Sequence, residues 1–196
     1  MNISNFIETY EVPKKLCDSL ISYHKKNKEH KVIGETGLGI NKKVKDSIDV
    51  YFFNHSQNKN IKTFFNILAN CVSKYCIKYN ITENMRTYLV NHIQHYKPGG
   101  GYPVLHYERN SIYPKRILAY MLYCNTVTDK GGTEFPYQNI TLSAVKGKLV
   151  IWPAEFTHPH KGLISSTQQK YITTGWFEIV WIYLITIGIL VVFLHQ

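Results

Sequence analysis

Between about residues 87 and 177 the chain consists of short apolar and aromatic runs separated by turn residues. Glycine-rich turns follow Pro98 and Lys130, and Gly147 precedes a further apolar run. Many short strands at such spacing are typical of a double-stranded jelly roll or barrel. The sequence therefore predicts a mainly β fold with a double-stranded β-helix, or jelly roll, as its core. The runs are 89–97, 102–108, 116–125, 148–152 and 170–177.

The first 80 residues show helical rather than strand-like spacing of apolar side chains. One helix is expected to start at Pro13, which suits a first helical position, and to end in the basic stretch 25–31. A second has the stronger pattern, with apolar residues at i, i+3, i+4 and i+7 from Ile61 to Tyr79. We expect a single domain over 1–178, with helical support over about 1–80 packed on the outer face of a jelly roll at about 87–178.

The formal net charge is +10, and lysine supplies nearly all of the positive charge. These lysines are scattered through predicted helix faces and loops, as on an ordinary solvated surface. This distribution argues against nucleic acid as a partner. A basic protein does attract small anionic molecules.

The four cysteines, Cys17, Cys71, Cys76 and Cys124, form no CxxC motif. Residues 1–12 contain no apolar core of the length that a secretory signal needs. We therefore expect reduced, mostly buried thiols in a protein that faces the cytoplasm.

Residues 179–194 form an almost unbroken apolar run. As a helix this run would span about 24 Å, somewhat less than the roughly 30 Å of a hydrocarbon core. The favoured interpretation is a C-terminal membrane anchor, because a jelly roll has little room for another apolar element after its last strand. A packed final element and a non-native C-terminus are the alternatives.

His106 and Glu108 are the first candidates for chemistry. On a strand, residues i and i+2 point to the same face, so an imidazole and a carboxylate at this spacing can bind one metal ion. A His-x-Glu tripeptide is common by chance, and the hypothesis needs a third ligand on another strand. The stretch 152–162 offers two, His158 and His160.

Two histidines and one carboxylate occupy one face of an octahedron and leave three positions open. This arrangement suits Fe(II) that must bind a bidentate ligand and dioxygen. Zinc with the same three ligands is an alternative. The residues alone do not decide between His158 and His160.

The stretch 93–176 resembles the catalytic jelly roll of the 2-oxoglutarate- and Fe(II)-dependent oxygenases, in particular the prolyl 4-hydroxylase-like branch. The resemblance rests on a series of short motifs in the family's order. They are Tyr96-Lys97-Pro98-Gly99, His106-Tyr107-Glu108, Tyr123-Cys124-Asn125, Gly131-Gly132 and, ten residues after His160, Lys170.

The resemblance implies an iron site of His106, Glu108 and His160, and a lysine, Lys170, that pairs with the distal carboxylate of 2-oxoglutarate. The family spacing selects His160, because Lys170 follows His158 by twelve residues. It further implies that Tyr96, Tyr123 and Thr174 bind the co-substrate.

The implied activity is a dioxygenase that hydroxylates a C–H bond, of a prolyl or other peptide residue, and releases succinate and CO₂. Ascorbate is implied as an accessory. The alternative is a catalytically inactive or non-keto-acid metal-binding jelly roll, anchored to a membrane.

The sequence departs from the family pattern at two places. Glu108 stands where the family more commonly has aspartate, and the spacing from Tyr102 to His106 is one residue longer. The basic segment 34–47 has two interpretations, a loop over the mouth of the pocket or an ordinary surface loop.

Overall fold

A computed structural model describes residues 5–180, which form eleven β-strands and two α-helices. The strands of the N-terminal half are β1 (Glu8–Glu11), β2 (Lys31–Ile33), β3 (Ile48–Phe53), β4 (Met85–Thr87) and β5 (Val90–Tyr96). Those of the C-terminal half are β6 (Arg116–Tyr123), β7 (Thr133–Phe135), β8 (Ile140–Leu142), β9 (Lys148–Pro153), β10 (Lys161–Gly162) and β11 (Lys170–Ile179). The helices are α1 (Lys14–Lys26) and α2 (Lys59–Tyr79).

Eight strands form a major antiparallel sheet in the order β1-β9-β6-β11-β5-β3-β2, with β4 paired to β11. Three further strands form a minor sheet in the order β10-β7-β8. Apolar side chains of the minor sheet pack on one face of the major sheet. The predicted mainly β jelly roll is confirmed.

The major sheet is buried on both faces, because alternate residues of its strands enter two separate apolar clusters. In β6, Tyr120 and Leu122 pack with the helices, whereas Met121 and Tyr123 pack with the minor sheet. The helices therefore cover the outer face, and the inner face lines the space between the two sheets.

Helix α2 forms because its apolar stripe and its end residues agree. The side chain of Asn58 accepts hydrogen bonds from the backbone N–H groups of Asn60 and Ile61, and Asn80 ends the helix in a left-handed conformation. Each large apolar side chain that it buries contributes roughly 1.5–3 kcal/mol. The buried residues are Ile61, Phe64, Leu68, Cys71, Val72 and Tyr75.

The first 80 residues differ from the predicted helices and loops, because they also contain β1, β2 and β3. These strands were hard to recognise from sequence. β1 and β2 are short, and the apolar run of β3 is interrupted by Asp49, which is fully buried through polar contacts. All three belong to the major sheet.

The strand predicted over 102–108 is wrong, because the structure describes these residues and they form no regular strand. The segment forms one isolated bridge, between His106 and His160. Pro103 has no N–H group to donate, and the preceding Gly99–Gly101 turn disfavours a regular ladder.

No helix within residues 5–180 is long and apolar enough to cross a membrane. The predicted anchor over 179–194 lies, apart from its first two residues, outside the residues that the structure describes.

Candidate metal centre and the cavity around it

The side chains of His106, Glu108 and His160 converge at the inner face of the jelly roll. The Glu108 Oε1 atom lies 3.3 Å from His160 Nε2 and 3.8 Å from His106 Nε2. One donor atom from each residue lies within 4.8 Å of the other two. The three predicted ligands are therefore brought together from two distant parts of the chain.

Backbone hydrogen bonds hold the two ligand-bearing segments side by side. His106 N donates to His160 O at 3.0 Å, and His160 N donates to His106 O at 2.8 Å. Two residues on, the N–H groups of Glu108 and Arg109 both donate to Ala154 O. These bonds position His106 and Glu108 without the strand that their spacing suggested.

The histidines present their Nε2 atoms to the carboxylate. His106 Nδ1 lies 2.8 Å from Val104 O and His160 Nδ1 lies 3.1 Å from His158 O. Because a carbonyl oxygen can only accept, each Nδ1 carries a proton. In the neutral form of each ring Nε2 then carries a lone pair, so that three lone-pair donors, the two Nε2 atoms and Oε1, face one another. This donor set fits a divalent cation.

Ionisation also favours metal binding. Burial, together with the charge of His160, lowers the pKa of His106 to about 4. For Glu108 burial acts to raise the pKa, but His160, His106 and Arg116 outweigh it and lower the pKa to about 2. At neutral pH Glu108 is therefore an anion and His106 is neutral, which is the state in which each donates a lone pair.

His158 lies outside this cluster. Its Nε2 donates to Asn5 O at 3.0 Å, and its Nδ1 lies 2.9 Å from Thr157 Oγ1. Both ring nitrogens are thus occupied away from Glu108. The geometry selects His160 of the two candidates.

A cavity of about 480 Å³ extends inward from the three ligands. Its walls come from β3, β5, β6, β11 and the loop 34–47. This volume falls in the range of small-molecule sites. Among the lining side chains are Tyr96, Met121, Trp152, Ile172 and Lys170.

Lys170 is a buried cation that faces this cavity. The residue is 5% exposed, and its Nζ donates to Gly131 O at 3.0 Å and lies 5.0 Å from the centre of the Tyr96 ring. Burial lowers the pKa of Lys170 to about 8. Among residues 5–180 no carboxylate pairs with this ammonium group. Because a buried unpaired charge is costly, the site is suited to an anionic ligand.

Of the other three predicted co-substrate residues, two line the cavity and one is buried behind its wall. Tyr96 and Thr174 line the cavity, but their hydroxyls donate to Gln94 Oε1 at 2.7 Å and to Tyr120 O at 2.9 Å. Tyr123 is fully buried, and its hydroxyl shares a 2.7 Å hydrogen bond with Thr133 Oγ1.

Thr133 faces the cavity and was not among the predicted site residues. Its only sequence signal was its position directly after the Gly131-Gly132 turn. Tyr123 thus reaches the pocket through the hydroxyl of Thr133.

Two residues that the sequence did not single out contact Glu108. Trp176 Nε1 donates to Glu108 Oε2 at 2.8 Å, and Arg116 Nη1 lies 3.6 Å from the same oxygen. Trp176 could have been found by its period-two relation to Lys170 on one strand. Arg116 carried no such signal.

A polar network forms another wall of the cavity. Lys45 Nζ and Gln94 Nε2 both donate to Asp49 Oδ2, at 2.7 and 3.3 Å, and Ser47 donates to Asp49 Oδ1 at 2.7 Å. Through Gln94 the network reaches the Tyr96 hydroxyl. Glu35, Thr36, Gly37 and Lys45 line the cavity, which favours the interpretation of segment 34–47 as a loop at its mouth.

A jelly roll that holds two histidines and one carboxylate at one end of a cavity, and a buried lysine further in, defines a class of non-haem metal-dependent oxygenases. Residues 91–178 match the sequence profile of the 2OG-Fe(II) oxygenase superfamily. This stretch, which contains the three candidate ligands and Lys170, is therefore a 2OG-Fe(II) oxygenase domain. No curated protein sequence matches the chain.

Solved structures with the same fold include several prolyl hydroxylases. A viral collagen prolyl hydroxylase from Paramecium Bursaria Chlorella virus-1 has a TM-score of 0.71 at 18% identity, with 90% of this chain and 98% of that chain covered. A Pseudomonas putida prolyl-4-hydroxylase has a TM-score of 0.72 at 16% identity, with 88% of this chain and 92% of that chain covered.

A prolyl hydroxylase from Trichoplax adhaerens, in complex with a peptide fragment of a hypoxia inducible factor, has a TM-score of 0.73 at 11% identity. The superposition covers 90% of this chain and 84% of that chain. At these identities the likeness establishes the fold.

Proposed function

We propose that the protein hydroxylates a residue within a polypeptide, with a prolyl residue as the first candidate, and converts 2-oxoglutarate to succinate and CO₂ in the same turnover. The observation that carries the co-substrate assignment is Lys170, a buried cation without a carboxylate partner in the described residues, in the cavity that also holds the three ligands.

The residues of the chain have separable tasks in this reaction. His106, Glu108 and His160 would hold Fe(II), which together with 2-oxoglutarate supplies dioxygen activation and oxidative decarboxylation. Lys170 binds the distal carboxylate of 2-oxoglutarate as a compact point charge. The buried side chains of Met121, Ile172 and Trp152 give the cavity apolar walls, which would exclude water from the reacting groups.

Hydroxyl groups complete the co-substrate pocket. Thr133, Thr174 and Tyr96 face the cavity and are each fixed by a hydrogen bond to the protein. They are therefore preorganised to accept or donate a further hydrogen bond without losing side-chain freedom.

A surface groove beside His106 supports a polypeptide substrate. It is lined by Leu105, Tyr107, Tyr137, Phe156 and Pro159 and shares His106, Tyr107 and Asn110 with the cavity. Tyr137 and Phe156 are 70% and 68% exposed. An extended chain advances about 3.3 Å per residue, so residues close to a hydroxylated one would reach this groove. Exposed aromatic surface of this kind is typical of interaction sites.

The central experiment measures succinate from 2-oxoglutarate by the Fe(II)-loaded protein, with and without proline-containing peptides, and a 16 Da gain on the peptide. We expect His106→Ala to abolish turnover and Lys170→Ala to raise the KM for 2-oxoglutarate. Absence of any turnover, with Fe(II) affinity unchanged by His106→Ala, would instead support a non-catalytic jelly roll.

The groove is tested separately by Tyr137→Ala and Phe156→Ala. Each should raise the KM for a peptide and leave the KM for 2-oxoglutarate unchanged. Ile77→Ala, which removes a 79% exposed apolar side chain from α2, is the matched control. If the groove variants behave like this control, the groove does not bind substrate.

Ascorbate is proposed as an accessory reductant that sustains turnover. The expected result is a progress curve for succinate that levels off early without ascorbate and continues with it. Identical curves would remove ascorbate from the assignment.

We also propose that residues 179–194 anchor the protein to a membrane, with the catalytic domain facing the cytoplasm. The apolar run itself supports this. The test compares detergent-free solubility of the full chain with a chain ending at Val180, which keeps the backbone hydrogen bonds of Ile179 and Val180 to Lys115 and Asn84. Equal solubility would contradict the anchor.

A further inference from the structure

The carboxylate ligand of the metal centre is a glutamate, and its side chain has one more rotatable bond than aspartate. A carboxylate can bind a metal ion through one oxygen or through both. Binding through both would occupy one of the three positions that 2-oxoglutarate and dioxygen require. A longer, freer side chain makes this second mode easier to reach.

We propose that Trp176, supported by Arg116, is a positioning residue that keeps Glu108 a one-oxygen ligand. The inference rests on the proposed iron site and extends it to residues that touch no metal. It explains how a glutamate can serve where the family more commonly has aspartate.

The two oxygens of Glu108 have separate surroundings. Oε1 faces the Nε2 atoms of His160 and His106, at 3.3 and 3.8 Å. Oε2 accepts the 2.8 Å hydrogen bond from Trp176 Nε1 and has Arg116 Nη1 at 3.6 Å. Rotation of the carboxylate toward a metal ion at Oε1 would break the bond from Trp176, so the observed orientation is held from outside the metal centre.

Arg116 is itself fixed. It is 5% exposed, and its Cζ lies 3.6 Å from the Trp176 ring and 3.7 Å from the Tyr113 ring. Its Nη1 also donates to the Glu108 backbone oxygen at 3.3 Å. The guanidinium group stacks on the indole, so it fixes the plane of the indole as well as placing positive charge beside Oε2.

The arrangement also follows from the strand. Trp176 lies six residues after Lys170 on β11, and both side chains point into the same cavity. One strand thus carries the cation for the co-substrate and the donor that orients the carboxylate ligand.

The experiment uses the full chain loaded with Mn(II), without turnover. The number of water molecules on Mn(II) is measured from the broadening of its electron paramagnetic resonance lines in ¹⁷O-water. Three protein donor atoms leave three waters in the wild type. In Trp176→Phe we expect two waters, because Glu108 turns and binds through both oxygens.

Tyr51→Phe is the matched control. Tyr51 lines the same cavity, but its hydroxyl donates to Glu35 Oε1 at 3.1 Å and not to a metal ligand. The control should keep three waters. Three waters in Trp176→Phe, or an equal loss in Tyr51→Phe, would overturn the inference.

A double-mutant comparison gives an independent readout. In Glu108→Asp the carboxylate retracts by one methylene from Trp176, so adding Trp176→Phe should leave the water count unchanged. A further loss in the double variant would contradict the proposed contact.

Addition of 2-oxoglutarate separates this inference from the proposed function. Chelation by the keto acid should remove two waters from the wild-type protein. If none is removed in any variant, the co-substrate assignment fails, whereas the comparison of Trp176→Phe with Tyr51→Phe still decides the role of Trp176.

Discussion

At the residue scale, the proposed role of Lys170 in binding 2-oxoglutarate depends on its protonation state. Its ammonium group has a carbonyl oxygen and an aromatic face as neighbours, which solvate a charge poorly compared with water. Burial therefore lowers its pKa to about 8, and an incoming carboxylate would raise it again.

A pH dependence follows from this pKa. Only the protonated lysine pairs with the carboxylate, so the affinity for 2-oxoglutarate should be constant below about pH 7. It should then fall as pH rises through about 8, approaching tenfold per pH unit. The dissociation constant of 2-oxoglutarate from the Mn(II)-loaded protein is measured between pH 6.5 and 9.5. Lys170→Arg should remove this decline, and the same decline in that variant would contradict it.

At the scale of elements, strand β11 performs two tasks because its residues alternate between the faces of the sheet. Lys170, Thr174 and Trp176 face the cavity, whereas Tyr171 and Phe177 pack with the helices. Gly175 lies between these functional positions, where a side chain has no space. A Cβ atom there would lie 2.1 Å from Asn91 Oδ1 and 2.6 Å from the Tyr120 hydroxyl.

Gly175→Ala should therefore destabilise the protein by about 1–3 kcal/mol, because it separates the 2.7 Å hydrogen bond from Tyr120 to Asn91 and moves the strand. Urea unfolding measures the change. Gly37→Ala is the control, since its Cβ would meet its nearest atoms at 3.4 Å, an ordinary contact. Equal stability of the two variants would show that β11 tolerates the side chain.

The loop 34–47 is tied to β3 by the buried pair of Lys45 and Asp49. Asp49→Asn leaves the ammonium of Lys45 buried without its carboxylate, and should cost about 3–5 kcal/mol in unfolding free energy. Lys45→Met combined with Asp49→Asn should recover most of the loss, because neither charge then remains. If the double variant recovers no unfolding free energy, the unpaired charge of Lys45 is not the cause of the destabilisation in Asp49→Asn.

The same pair predicts loss of stability in acid. Burial acts to raise the pKa of Asp49, but His92 and Lys45 outweigh it, so the pKa is lowered in the folded protein. The stabilisation is present above the unfolded pKa of about 3.9 and is lost as pH falls through the folded value. Unfolding free energies between pH 7 and pH 3 should fall more steeply in the wild type than in the double variant.

The same elements indicate what sequence can and cannot predict here. α2 was predicted because a regular apolar period extends along it, and β11 because it is one of the short apolar and aromatic runs. β3 was not recognised, because Asp49 is buried through Lys45, a contact that depends on the folded loop. His106 and Glu108 were found for their spacing, yet the backbone bonds to His160 and Ala154, rather than a strand, position them.

At the scale of the whole molecule, the metal centre joins two segments that are distant in the sequence. The ligands come from the region before β6 and from the turn after β9. Sequence could place each segment, and the strand spacing from Lys170 could have indicated Trp176, whereas Arg116 became recognisable only once the fold had brought three separate regions together.

Metal binding should therefore stabilise the whole domain. When only the folded state binds the metal, a metal concentration 100 times the dissociation constant adds about 2.7 kcal/mol to the free energy of unfolding. We expect Mn(II) to raise the Tm of the wild type in a concentration-dependent way and to leave that of His106→Ala unchanged. An equal rise in both proteins would place the bound metal elsewhere.

The positions of the two cavity tryptophans allow metal binding to be followed by intrinsic tryptophan fluorescence. The chain contains three tryptophans, and two of them contact metal ligands: Trp176 through its hydrogen bond to Glu108 and Trp152 with its ring 5.0 Å from that of His160. A paramagnetic ion at the centre lies within quenching distance of both indoles. Intrinsic fluorescence can therefore follow metal loading and exchange in real time, without a label.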